Sequence, residues 1–112
     1  MELSSPCFNR AVPATDEIIW LTIRALPEIE DPFAVLDAGD YEYLQTLWTP
    51  DGYVLEYQEQ SLTQHYRAVR RLTADEVTRA FQLYARGDRA WLSGFKFEHL
   101  DPETWDPIHE IV

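Results

Sequence analysis

The sequence predicts an α+β domain: a mostly antiparallel sheet of about four strands with two helices packed on one face. Three observations carry that expectation. Two runs rich in aromatic and branched residues, YEYLQTLW (41–48) and YVLEYQ (53–58), flank Thr49-Pro50-Asp51-Gly52, a strong hairpin signal. Thr73-Ala74-Asp75-Glu76 has the form of a helix capping box, with apolar residues following at helical spacing. Finally, 112 residues suit one domain with one modest core.

In chain order, residues 1–14 contain Pro6 and Pro13 without a clear period and read as a loose N-terminal arm. Thr15-Asp16-Glu17 supplies a capping hydroxyl and two first-turn acids, which the helix dipole favours. The following IIWLTIRAL places Ile18, Leu21 and Ala25 near one face, with Ile19 and Leu26 beside it, predicting a helix that ends before Pro27; its β-branched content also allows a strand. PEIEDP is punctuation. Phe33–Leu36 suits a strand, and Asp37-Ala38-Gly39-Asp40 a turn.

In the hairpin, pairing Thr49 with Tyr53 sets Leu47 opposite Leu55 and Gln45 opposite Tyr57. That register puts Tyr41 and Tyr43 on a core face. It leaves Glu42, Leu44, Thr46 and Trp48, with Val54, Glu56 and Gln58, on a half-polar outer face. QHYRAVRRL (64–72) reads as another antiparallel strand. Val77, Ala80, Phe81 and Tyr84 then mark the second helix, stopped at Gly87. GFKFEHL could form a last short strand, and residues 101–112, with two prolines, an irregular tail.

Composition narrows the function. The chain is 46% hydrophobic and 13% aromatic, too apolar for a disordered acidic tail. The single cysteine, Cys7, can form neither an internal disulfide nor a cysteine-based zinc framework. No run approaches a membrane span, and MELSSPCFNR lacks the pattern of a signal peptide, so a cytoplasmic protein is expected. Twenty acids against nine bases give a net charge of −11, which opposes nucleic acid as a partner. The charge is uneven. Residues 1–60 hold 12 acids and 2 bases, residues 61–96 hold 3 acids and 7 bases, and residues 97–112 hold 5 acids and no base. Acidic and basic segments can pair within the fold, or an acidic face can meet a basic partner.

Motifs for chemistry are scarce. Cys7 lies in the arm, and no signature surrounds His65, His99 or His109. His99, Asp101, His109 and Glu110 suit a metal by type, but their spacing matches no metal motif. Neighbouring carboxylates such as Glu56 and Glu59 carry little weight among twenty acids, and four glycines leave no phosphate-binding loop. The expectation is a non-enzymatic protein with no cofactor and no bound metal. Of the tryptophans, Trp91, with Phe95, is expected to close one end of the core and Trp105 to pack as a core or rim residue. Trp48 instead falls on the half-polar face, an aromatic among acids, as protein-binding surfaces tend to be. The predicted partner-binding set is therefore Glu42, Thr46, Trp48, Glu56 and Gln58, rimmed by Asp37, Asp40 and Asp51.

Tyr43-Leu44-Gln45-Thr46, Gly52–Gln58 and His65-Tyr66-Arg67 resemble a pattern in small acidic bacterial proteins. Glu76-Val77, Phe81, Tyr84, Gly87-Asp88, Trp91 and Phe97-Glu98 continue it. The chain thus resembles, over about residues 33–100, immunity-type proteins of polymorphic toxin systems, cytoplasmic proteins that neutralise a sister cell's toxin in interbacterial competition. Phe97 stands where a tryptophan is more usual in that pattern. The resemblance implies a cognate toxin as partner, with a basic nuclease- or deaminase-like surface that an acidic inhibitor could occupy. Two other readings stand beside it. One is a small-molecule-binding or catalytic domain with a pocket walled by Tyr53, Tyr57 and Tyr66; the other is an adaptor or homodimer joined through a strand edge.

Overall fold

The computed structural model describes residues 1–108. Its strands are β1 (Glu2–Ser4), β2 (Val12–Pro13), β3 (Phe33–Gly39), β4 (Glu42–Thr49), β5 (Gly52–Gln58), β6 (His65–Ala68) and β7 (Phe97–His99). Its α-helices are α1 (Asp16–Ala25) and α2 (Ala74–Ala85), and 3-10 turns cover Leu26–Glu28 and Arg89–Gly94. The class is α+β as expected, but the strand count is not. Among the described residues the sheet has seven strands in the order β2-β1-β3-β4-β5-β6-β7, every neighbouring pair antiparallel, rather than about four.

Part of the increase comes from the segment expected to be a loose arm. Leu3 aligns with Leu36 of β3 and with Val12 of β2, and it is fully buried. These strands are three and two residues long, too short to show a period. The structure of β1 comes from pairing with β3, some thirty residues away in the chain, and that of β2 from pairing with β1.

Both helices lie on one side of the sheet because each carries one apolar stripe. On α1 the buried stripe is Ile19, Thr22 and Ile23, continued by Leu26, while Trp20 and Leu21 point to solvent at 48% and 52% exposure. The expected stripe through Ile18, Leu21 and Ala25 is thus rotated by about one residue. On α2 the capping box forms as predicted: the Thr73 side chain accepts from Glu76 N–H, and the Glu76 carboxylate accepts from Thr73 N–H. Val77, Ala80 and Phe81 face the sheet, where they join Ile19, Ile23, Leu36, Leu44 and Leu55 in one core. Across the helix pair, Arg24 bridges to Asp75 and Arg86 to Asp16. The Tyr53 hydroxyl donates to Ile23 O at 2.7 Å, tying the sheet to α1.

The hairpin differs from its expected register by one residue. Thr49 pairs with Gly52, not Tyr53, so the loop is the two residues Pro50-Asp51. Trp48 then opposes Tyr53, Thr46 opposes Leu55, and Leu44 opposes Tyr57. Because side chains alternate, the slip exchanges the faces of β4. Leu44, Thr46 and Trp48 turn toward the helices, and Tyr43, Gln45 and Leu47 turn away. The register is set by Gly52. Its φ of +122° suits a residue without a side chain, and a Cβ there would stand 3.0 Å from both Arg71 Cβ and Leu72 O. The close approach serves a bridge in which Tyr53 and Leu72 exchange both backbone hydrogen bonds at 2.9 Å.

Candidate partner-binding face

The sheet face away from the helices carries alternate residues of each strand: Phe33 and Val35 from β3, Tyr43, Gln45 and Leu47 from β4, and Val54, Glu56 and Gln58 from β5. His65 and Arg67 come from β6 and Glu98 from β7. The face divides into an apolar half and a polar half. Phe33, Val35, Leu47 and Val54, with Gln45, Thr46 and Glu56, line a shallow hollow of about 260 Å³. Leu47 is 43% exposed at its rim.

The polar half is a connected network. Glu56 Oε2 lies 2.6 Å from His65 Nε2 and accepts from Gln45 Nε2 at 3.2 Å. Burial pushes the Glu56 carboxyl up, but the hydrogen bonds and charge of His65, the Gln45 amide and the charge of Arg67 together hold it below its ordinary value. Glu56 is therefore an acceptor only, so the proton between it and the imidazole sits on His65 Nε2. On the other side of the ring, Nδ1 faces the Tyr43 hydroxyl at 3.2 Å, and that hydroxyl also reaches Gln58 Oε1 at 3.3 Å. The Gln58 amide donates to Tyr41 O at 2.8 Å, and Arg67 donates twice to Glu98 Oε1. Among the described residues every buried side-chain nitrogen and oxygen has a hydrogen-bond partner.

A tryptophan roofs the network. After β7 the chain turns back on itself, with Trp105 N–H donating to Asp101 O at 2.8 Å and Ile108 N–H donating to His99 O at 2.8 Å. Trp105 has a φ of +61°, uncommon for so large a side chain. Its ring stands edge-on to His65 with centroids 4.7 Å apart. His65 is completely buried beneath it, whereas Trp105 is 47% exposed.

Tyr, His and Glu are residue types capable of acid–base chemistry, but the geometry favours a structural role. The imidazole is enclosed, and burial, with the charge of Glu56, pushes the Tyr43 hydroxyl up, away from an activated base. The three residues instead connect β4, β5 and β6 beneath the C-terminal turn. Nor do the tyrosines proposed as a pocket wall line a cavity together. Tyr53 is buried against α1, and Tyr57 is stacked on Tyr66 at 4.9 Å and set edge-on to Trp91 and Phe97. Trp91 is buried in the core, and Phe95 packs against that core.

The predicted partner-binding residues separate. Glu56 and Gln58 lie on the side of the sheet away from the helices, but Gln58 is only 4% exposed, so of the two only Glu56 is open to a partner. Thr46 and Trp48 lie on the other side: Thr46 is 2% exposed, its hydroxyl donating to Val54 O at 2.7 Å, and Trp48 packs against the core. Glu42 shares their side of β4 and lines a cleft of about 200 Å³ with Tyr84 and Arg89. Asp37, on β3 opposite Tyr43, and Asp40, in the turn before β4, are exposed at one end of the sheet, and Asp51 is exposed at the hairpin tip at the other end of β4. Phe33, Val35, Leu47, Tyr43 and Trp105, absent from the predicted set, make up most of the open face, with His65 buried beneath Trp105. A two-residue loop, allowed by the same Pro-Asp-Gly signal, would have revealed those from β4. Trp20 is a further exposed aromatic, lying under the Arg24 guanidinium at 4.1 Å.

Among the described residues no group of three or more His, Cys, Asp or Glu side chains could hold a metal ion. His109 and Glu110 lie outside the described residues. Among the described residues no helix is long and apolar enough to cross a membrane. Comparison of the chain with protein-family models, curated proteins and solved structures returns no match.

Proposed function

We propose that this chain is a non-enzymatic, cytoplasmic immunity-type protein whose open sheet face covers a basic surface of a cognate toxin. The observation that carries the reading is the uncovered apolar hollow of Phe33, Val35, Leu47 and Val54, with the carboxylate of Glu56 at its edge. A sheet side that buries no helix yet exposes aliphatic side chains suits a partner that completes it. Charge supports a basic partner. Arg24, Arg67, Arg70, Arg86 and Arg89 are each held by a carboxylate, and acids without such a partner, Glu28, Glu30 and Asp31, stand in the loop that leads into β3. The sequence resemblance to immunity-type proteins of toxin systems points the same way. In this reading Leu47 is the apolar anchor, with Glu56 and Asp37 contributing charge.

The test is binding to a toxin encoded beside this chain. Leu47→Arg puts a like charge and a bulky polar group into the hollow, at a position whose exposure spares the fold. It should weaken the complex by at least about a hundredfold, as expected for an interface hot spot of ~2 kcal/mol or more. Trp48→Ala, on the other side of the sheet, is the comparison. Loss of binding in Trp48→Ala but not in Leu47→Arg would place the partner elsewhere.

A further inference from the structure

On the helix side of the molecule, a groove of about 560 Å³ runs between α2 and the 3-10 turn Arg89–Gly94. That volume falls within the roughly 300–1,000 Å³ of small-molecule sites. Ala80, Leu83, Ala90, Trp91 and Phe95 supply apolar lining. Three charged side chains line it, and two are already neutralised. Asp75 is bridged by Arg24, and Glu76 accepts from both terminal nitrogens of Arg70 at 3.1 and 2.6 Å. Arg79 is the third, and among the described residues it has no ion-pair or hydrogen-bond partner for its guanidinium. The one polar side chain besides, Ser93, already donates its hydroxyl to Ala90 O at 2.8 Å.

We propose that this groove binds a small organic monoanion with an apolar body, its acid group met by Arg79 and its body lying along Leu83, Trp91 and Phe95. An apolar hollow with one unspent cation selects both properties together. A neutral apolar molecule gains nothing from the guanidinium, and a small inorganic anion gains nothing from the walls. The site is on the opposite side of the sheet from the toxin-binding face, so neither proposal depends on the other.

The experiment is a fluorescence titration of the intact chain with 8-anilinonaphthalene-1-sulfonate and with N-phenyl-1-naphthylamine, which has the same ring system without the sulfonate. The wild type should bind the sulfonate at least about tenfold more tightly, the scale of one charge-assisted contact. Arg79→Gln, at an exposed position, should remove that preference while leaving the neutral probe unchanged, and Arg79→Lys should restore part of it. Gly94→Leu is the second variant. A Cβ at Gly94 meets nothing within 4 Å, so its side chain enters open space, and it should weaken both probes by about tenfold or more. Sulfonate binding within twofold of wild type in either Arg79→Gln or Gly94→Leu would overturn the proposal. So would a wild type that binds neither probe or shows no preference between them.

Discussion

Glu56 shows how one side chain reports on its surroundings. Its carboxyl is held low although burial opposes ionisation, because His65, Gln45 and Arg67 all favour the charged form. A carboxyl whose folded value lies below its unfolded value adds stability that is present above the unfolded value and is lost as pH falls through the folded one. Glu56→Gln should therefore be less stable than wild type near neutral pH, and the gap should close on acidification below about 4.5, the ordinary value. Urea midpoints measured across that range check it. A gap independent of pH would mean that shape, not charge, matters at this position. Glu76 acts in the same direction, held to about 2 by its hydrogen bonds to Arg70 and Thr73. Its partner Arg70 is more than half exposed and Glu76 itself is 30% exposed, so screening leaves it the smaller effect. His65→Ala should cost about 3 kcal/mol, between the ~1–3 for an unmet buried polar group and the ~3–5 for a broken buried pair. It would take one partner from each of Glu56 and Tyr43, leaving them only Gln45 and Gln58, and open a void under Trp105.

Elements differ in how much of their structure is local, and that difference decided what could be read in advance. The α2 start was legible because a capping box is a contact between residues three apart. Thr73→Ala should cost about 1 kcal/mol of stability, measurable by urea denaturation. The β4–β5 hairpin was legible as a hairpin but not in register. Thr49-Pro50-Asp51-Gly52 permits a two- or a three-residue loop, and the choice is made by Leu72, whose bridge to Tyr53 needs Gly52 close against Arg71. That contact spans twenty residues of sequence, beyond any local signal. One slip then moved Thr46 and Trp48 from the expected partner face into the helix-facing layer while leaving Glu56 and Gln58 where they were expected. Gly52→Ala should destabilise by about 1–3 kcal/mol, through a disfavoured φ and a crowded Cβ acting together. A loss below ~0.5 kcal/mol would show that the hairpin shifts register freely. β1 and β2 were illegible for the opposite reason: short strands carry no period, and Leu3 acquires its place only by pairing with β3 and β2. These outer strands also protect the sheet, with Pro13 on β2 denying a donor to any added strand.

At the scale of the whole molecule, four of the five arginine–carboxylate bridges join the basic segment to an acidic one, Arg86 to Asp16 and Arg89 to Glu59 among them, while Arg70–Glu76 lies within the basic segment. They do not change the net charge of −11. Two opposed effects of salt follow. The bridges are largely exposed and worth at most ~1 kcal/mol each, and salt weakens them. The repulsion among the surplus carboxylates grows with the net charge, and salt weakens that as well. Dimensions decide which dominates. The molecule measures 45 × 30 × 25 Å. At 0.01 M salt the screening length, ~30 Å, is comparable with the two shorter dimensions, so surplus carboxylates across the molecule still repel; at 0.15 M it is ~8 Å. Contact pairs at hydrogen-bond distance feel that change least, and long-range repulsion feels it most. Raising salt from 0.01 to 0.15 M should therefore increase the urea midpoint, whereas a decrease would show that the bridges dominate. If the proposed basic toxin is the partner, the same screening should slow its association, because steering acts over the distances that salt removes. Stability rising while the association rate falls is a paired outcome that internal charge pairing alone does not produce. An association rate indifferent to salt would leave the hollow around Leu47 as the basis of binding, with the surplus carboxylates serving solubility instead.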